Sequence, residues 1–194
     1  MTTSDDVRSY LADSAEAVSL AVDACGEDAT SGAQIISAAL HRGGKLLVCG
    51  NGGSAADAQH LVTELVSTLS KDRPRQALAA IALTTDTSIL SAIGNDFGFD
   101  GVFERQVEAL GRPGDVLLAI STSGNSENVL RAVDAARQRG IRTVALTGAD
   151  GGKLLGRTDV AIVVPVHHTS HIQEAHLAIE HAIATFVERD LFPG

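Results

Sequence analysis

His60 and Glu64 stand four residues apart in a stretch of helical spacing, which places an imidazole and a carboxylate on one helix face. Such a pair can hold one divalent ion or act as an acid–base couple; it can equally be a solvated pair that steadies a surface helix. Its neighbourhood favours the chemical reading. Two to three turns upstream lies Gly50-Asn51-Gly52-Gly53-Ser54, and further on lies Ser121-Thr122-Ser123-Gly124-Asn125-Ser126. Each follows a short apolar run and precedes a helical pattern. Both are rich in small residues, hydroxyls and free backbone N–H groups, and neither contains Lys or Arg. A loop of that kind at a helix N-terminus binds an anion with amides and the helix dipole alone. Two of them suggest one ligand with several oxygens, and a phosphorylated sugar fits better than a nucleotide.

Other segments compete for a role. Thr84-Thr85-Asp86-Thr87-Ser88 and Gly94-Asn95-Asp96-Phe97-Gly98 follow an apolar run, in the usual ligand crevice of an open α/β sheet. Asn95 and Asp96 can hydrogen-bond sugar hydroxyls, or Gly94-Asn95-Asp96 is simply a turn. Five of the seven histidines crowd the C-terminal segment: His167, His168, His171, His176 and His181. His176 and Glu180 repeat the spacing of His60 and Glu64, and spacing alone does not choose between the pairs. Gly50 to Ala55 also reads as a loose Gly-x-Gly-x-x-Ala dinucleotide fingerprint. That fingerprint needs an acidic residue about twenty positions on, at the end of the second strand. Asp72 has the spacing but precedes the strand, and Asp86 has the location but lies too far along. The pattern Gly-x4-Gly-Lys-Ser/Thr of P-loop NTPases is absent.

The elements that must carry these loops follow from five short apolar runs: Lys45 to Cys49, Ala77 to Leu83, Asp115 to Ile120, Arg142 to Leu146 and Val160 to Val166. They are continuous rather than alternating, as in strands buried on both faces of a parallel sheet. Helical segments separate most of them, the βαβ signature of an α/β fold. One helix is expected over Ala55 to Leu69 with Ser54 as N-cap, another over Asn125 to Arg139, and a long one over Ser170 to Leu191. Ahead of the first strand, residues 1–42 read as two helices. Asp5 to Val22 carries Val7, Leu11, Ala15 and Val18 at core spacing; Ala33 to His41 carries Ile35, Ile36, Ala39 and Leu40. These helices exceed what one small sheet needs for cover, so some are expected to pack on other subunits.

At 194 residues with no interdomain linker, the chain fits a single domain. A net charge of -9 without any basic stripe argues against a nucleic-acid partner. An anion must therefore be held by local dipoles. The lone Cys25 and Cys49 exclude a disulfide framework and a Cys-rich zinc site. No signal-like start and no long apolar run is visible, so a soluble cytoplasmic protein without a membrane partner is expected.

Taken together, these blocks resemble the sugar isomerase (SIS) domain family, and within it the phosphoheptose isomerases. Asn51-Gly52-Gly53-Ser54-Ala55-Ala56-Asp57-Ala58-Gln59-His60 is similar to the first signature. The Thr84, Gly94 and Ser121 segments resemble the next three, and Ile172-Gln173-Glu174-x-His176 with His181 beyond it resembles the last. The resemblance implies a three-layer α/β/α fold of flavodoxin- or Rossmann-like type, with a five-stranded parallel sheet, extra N-terminal helices and a long C-terminal helix. It implies isomerisation of sedoheptulose 7-phosphate to D-glycero-D-manno-heptose 7-phosphate, with Glu64 as base and His181 as acid. Phosphate would lie on Ser121, Thr122, Ser123 and Ser126. Asn51, Gly52, Gly53, Ser54, Glu64, Asn95, Asp96 and Gln173 would contact the substrate. One Zn2+ per subunit would be held by His60, Glu64, Gln173 and His181, in a homotetramer with active sites at subunit contacts. Gln173 and His181 are eight residues apart, about 12 Å of helix. They can share an ion if it sits between them, if the helix starts after Gln173, or if different subunits supply them. A non-catalytic, phosphosugar-binding regulator resembling the DnaA-binding member of the subfamily is the alternative; it predicts loss of acid–base residues, whereas Glu64 and His181 both stand.

Overall fold

A computed structural model describes residues 2–69 and 74–193. Five strands form one parallel sheet: β1 (Leu46–Gly50), β2 (Ala80–Ala82), β3 (Val116–Ser121), β4 (Arg142–Gly148) and β5 (Val160–Val164). Their order is β2-β1-β3-β4-β5. The helices are α1 (Ser4–His41), α2 (Gly53–Val66), α3 (Thr87–Phe97), α4 (Glu104–Leu110), α5 (Glu127–Gln138) and α6 (Thr169–Leu191). β1, β3 and β4 bury almost every residue, as their unbroken Leu, Val, Ile and Ala runs require for a sheet covered on both faces.

Two aliphatic cores fill the space on either side. One joins α1, α2 and α6 to the sheet through Cys25, Ile36, Leu61, Leu65, Ile172 and Ile183. The other joins α4 and α5 to the opposite face through Val107, Val129, Leu130 and Val133. From β1 the chain therefore leaves through α2 on one face, and from β3 it leaves through α5 on the other. β1 and β3 are neighbours, with Gly50 beside Ile120. The loops after them flank the point where strand order reverses, and there an open α/β sheet leaves a crevice at its carboxyl edge.

The N-terminal region departs from expectation. It is one helix, α1, closed at its start by a reciprocal Thr3–Asp6 capping box. Gly26 and Gly32 do not break it. A Cβ on Gly32 would stand 3.2 Å from Val144 Cγ1, so glycine there lets the helix approach the sheet. The face carrying Val7, Leu11 and Ala15 is exposed, and α1 instead buries Ala17, Ala21, Cys25, Ala33 and Ile36. Periodicity detects an apolar face, not what covers it. β2 is shorter than its apolar run, and α2 stops at Val66 rather than Leu69. The segment Gly94-Asn95-Asp96 is no turn but the end of α3, which Gly98 closes at φ +81°. Asp72, weighed for the dinucleotide reading, lies outside the described residues. No helix among the described residues is long and apolar enough to cross a membrane.

Candidate active site

The glycine loop turns directly from β1 into α2. Gly52 (φ 57°, ψ −119°) takes the N-cap position and offers no side chain, so the amides of the first turn face outward uncapped. Ser54, expected as the cap, instead lies inside the first turn and is buried. A Cβ on Gly53 would meet the Gln173 amide at 2.5 Å, so glycine there lets the end of that side chain lie against the loop.

The serine loop is folded with equal economy. Ser121 ends β3 and Ser126 is the N-cap of α5, their hydroxyls 3.0 Å apart and neither capping the helix. Asn125 holds the loop against the next one: its Nδ2 donates to Ser123 O, and its Oδ1 accepts from Lys153 N. Ser123 itself is exposed, its Oγ accepting from Asn125 N. A third uncapped helix start, that of α6 at Thr169, faces the same space. Together Asn51, Gly52, Gly53, Ser54, Ser121, Thr122, Ser126, Thr169 and Gln173 line a cavity of about 250 Å3 with no cationic side chain. Three helix N-termini converging on hydroxyls and amides are an arrangement that can hold an anion without a formal positive charge. Thr169 was not singled out from the sequence, although it opens a helix just after a strand in the manner of Gly53 and Glu127.

α2 and α6 run side by side away from this cavity, and further along them lies the second cluster. His60 Nε2 is 2.8 Å from His181 Nε2 and 3.6 Å from Glu64 Oε1. Their donor atoms lie within 4.8 Å of one another, the only group of three or more His, Cys, Asp or Glu among the described residues with that geometry. Two imidazoles and a carboxylate form a donor set suited to a catalytic divalent ion, with ligand distances of about 2 Å and a position left open. The residues fit such an ion. Arg75 steadies this end: its guanidinium donates to Glu64 O and Leu65 O and pairs with Glu188 of α6 at 2.6 Å.

Gln173 stands at the other end. α6 is helical from Thr169, so about 12 Å of rise separates Gln173 from His181 within one chain. Asn95 and Asp96 are exposed at the end of α3 and do not line the cavity of their own chain. His167 and His168 are exposed, and His171 pairs with Glu174 at 2.9 Å.

The pair His176/Glu180 has the spacing of His60/Glu64 but an opposite environment. Both are fully buried. His176 Nε2–H donates to Thr147 O, and burial pulls its pKa down to about 4. Burial, aided by the charge of Asp57, pushes the Glu180 carboxyl up to about 9. Asp57, one turn before His60, is raised to about 6 by burial, with His60 opposing the shift. None of these three residues lines the cavity at the helix starts.

Comparison with known proteins agrees with the geometry. The SIS domain family model matches residues 9–148. The phosphoheptose isomerase of Roseiflexus sp. (strain RS-1) is 57% identical over 153 residues, covering 79% of this chain and 77% of the relative. The structure of phosphoheptose isomerase from Neisseria gonorrhoeae superposes with a TM-score of 0.91 at 47% identity, covering 96% of this chain and 99% of that one. The phosphoheptose isomerase from Francisella tularensis gives a TM-score of 0.92 at 38% identity, covering 97% and 100%. The chain belongs to the SIS domain family and, within it, to the phosphoheptose isomerases.

Proposed function

We propose that this chain interconverts sedoheptulose 7-phosphate and D-glycero-D-manno-heptose 7-phosphate. The observation that carries the reading is the layout of two clusters along α2 and α6: an anion cavity at the helix starts and a His/Glu/His triad further down. From Gly53 to His60 the helix rises about 10 Å. With bonds of about 1.5 Å, an extended seven-carbon chain has a similar reach from its phosphate to its C1–C2 end.

Phosphate anchored on the serine loop, by the hydroxyls of Ser121, Thr122 and Ser126 and the first amides of α5, fixes one end of the substrate, and the glycine loop contacts the rest of it. That restricts the carbonyl end to the triad and replaces a random encounter with a positioned one. Ser123, exposed on its loop, contributes mainly through the backbone. Glu64 removes a proton from C1 of the ketose, and the electron pair forms the C1–C2 enediol as O2 gains a proton. Glu64 then delivers the proton it took from C1 to C2, O1 loses its proton, and O2 keeps the one it gained, which leaves the aldehyde and a C2 hydroxyl. His181 exchanges the oxygen protons, a task suited to imidazole near neutral pH. His60, Glu64 and His181 would hold a divalent ion, zinc by family resemblance, which would supply polarisation of the substrate carbonyl. The resemblance adds Gln173 to that ligand set; its place over Gly53 supports a contact with the substrate in its own chain.

The enzyme works as a homotetramer of cytoplasmic protomers. α3 buries none of its residues, and it carries Asn95 and Asp96 away from their own cavity. Both facts support sites completed at subunit contacts. The test is incubation of the purified protein with sedoheptulose 7-phosphate, following aldose formation before chelation, after it, and after zinc is restored. Turnover lost on chelation and regained with zinc supports the reading. No turnover by the zinc-loaded protein removes it, and full turnover after verified metal removal removes the ion from the chemistry.

A further inference from the structure

Asn128 lies in the first turn of α5, in a run whose neighbours Val129, Leu130, Ala132 and Val133 are all core residues, yet it is itself only 3% exposed. A buried carboxamide needs partners. It has one across the crevice: Asn51 Nδ2 donates to Asn128 Oδ1 at 2.9 Å, and Asn128 Nδ2 donates to Asn51 Oδ1 at 2.9 Å. Two antiparallel hydrogen bonds between planar amides fix separation, tilt and in-plane rotation together, which a single bond does not. Asn51 belongs to the glycine loop and lines the cavity; Asn128 does not line it.

The position of this pair matters because of the topology. The glycine loop leads into α2 on one face of the sheet, and the serine loop leads into α5 on the other. Beyond the last paired strand residues, Gly50 and Ile120, no ladder bond holds the two loops together. We propose that Asn128 is a positioning residue, a clasp that sets the gap between the two loops and the orientation of Asn51, and so the fit of a phosphosugar bridging them. Each amide keeps one donor hydrogen and one acceptor lone pair beyond the pair. The clasp thus aims the free hydrogen-bonding groups of Asn51 without touching the ligand. This rests on the phosphosugar reading of the cavity.

The test separates a ligand that needs one loop from a ligand that needs both. Inorganic phosphate and sedoheptulose 7-phosphate are titrated calorimetrically into zinc-loaded wild type, Asn128→Asp and Asn128→Leu, well below each variant's unfolding midpoint. Asn128→Ser serves if the charged variant fails to fold. The carboxylate of Asn128→Asp sets an acceptor against Asn51 Oδ1 and breaks one of the two bonds; Asn128→Leu removes both. Phosphate affinity is expected to stay within about twofold, while sugar-phosphate affinity and kcat/KM fall at least tenfold. Lowered thermal stability with unchanged sugar-phosphate affinity would make Asn128 structural only and overturn the clasp. Equal weakening of both ligands would place the damage in the serine loop and overturn it too. A wild type that binds the heptose phosphate no more tightly than phosphate would remove the phosphosugar reading itself, and with it the basis of the clasp.

Discussion

Identical spacing gives opposite chemistry in two His/Glu pairs because burial differs. His60 and Glu64 are partly open to solvent and meet a third donor, His181. His176 and Glu180 are sealed, and both carboxylate oxygens of Glu180 lack a partner among the described residues. Glu64→Gln keeps shape and hydrogen bonding but removes the proton carrier, so kcat is expected to fall by about 10²- to 10⁴-fold. Phosphate binding, measured by calorimetry, is expected to persist, since the anion cavity lies at the far end of α2. Retained turnover would remove Glu64 as the base. His176 makes a different prediction. Its folded pKa, about 4, is below the ordinary 6.5, so the unfolded chain binds protons more readily between those values. The stability His176 contributes is present above about pH 6.5 and is lost as pH falls toward 4. His176→Gln, still able to donate to Thr147 O, should flatten the urea-unfolding free energy over that window, where wild type drops by up to about 1.4 kcal/mol per pH unit. Parallel curves would show that His176 is not held neutral in the folded chain.

Between residues and fold, α2 and α6 are the pair on which the site depends. Arg75 joins them: its side chain is almost fully buried, caps the C-terminal carbonyls of α2 at Glu64 and Leu65, and pairs with Glu188 of α6. Arg75→Met leaves Glu188 buried without a partner and two carbonyls uncapped, and is expected to lower unfolding stability by about 3–5 kcal/mol. Arg75→Met with Glu188→Leu should recover much of that loss, because an apolar pair leaves no stranded charge. Urea denaturation of wild type, both single variants and the double variant measures the coupling; additive losses would show that the pair does not bind the helices together. The sheet and its loops were legible in the sequence because continuous Val, Leu and Ile runs bounded by Gly and Ser have few alternatives. The triad was legible in part, since His60 and Glu64 share a helix turn, whereas His181 needed the resemblance or the packing of α6 on α2 to join them. Arg75, Thr169 and Asn128 stayed hidden. Arg75 acts through contacts to residues far along the chain, and Asn128 looks like an ordinary N-terminal helix residue until its partner across the crevice is seen. α1 reads as two helices in the sequence because residues 23–32 continue neither apolar pattern, whereas in the fold Cys25 and Gly32 within that stretch pack on the sheet and the helix runs through.

At the scale of the whole molecule, Val7 and Leu11, two of the residues that periodicity assigned to the core of α1, are left largely uncovered by their own chain. Val7, Leu11, Val18 and Val22 fall within about 60° of one another around the helix at 3.6 residues per turn. Val7, Leu11 and Val22 are 51%, 60% and 68% exposed. Phe186 of α6 is exposed too and lines a groove with Val18, Val22 and Ala182. Single exposed apolar residues are ordinary; a stripe beside a groove is a surface that another protein covers. α3 is the second such element, since none of its residues is fully buried and it presents Phe97 at 56% exposure beside Asn95 and Asp96. If copies of the chain cover both, assembly and catalysis are linked, because Asn95 and Asp96 reach a cavity only across a subunit contact. Val22→Glu places a charge at the groove end of the α1 stripe without removing a buried contact of the protomer. Sedimentation analysis is expected to show a tetrameric wild type and smaller species for Val22→Glu, with circular dichroism unchanged and kcat/KM reduced at least tenfold. Loss should ease at high protein concentration, where mass action restores the assembly. A fully active monomeric wild type would show that each chain holds a complete site, and would return Asn95 and Asp96 to the surface of α3 without a role in the chemistry.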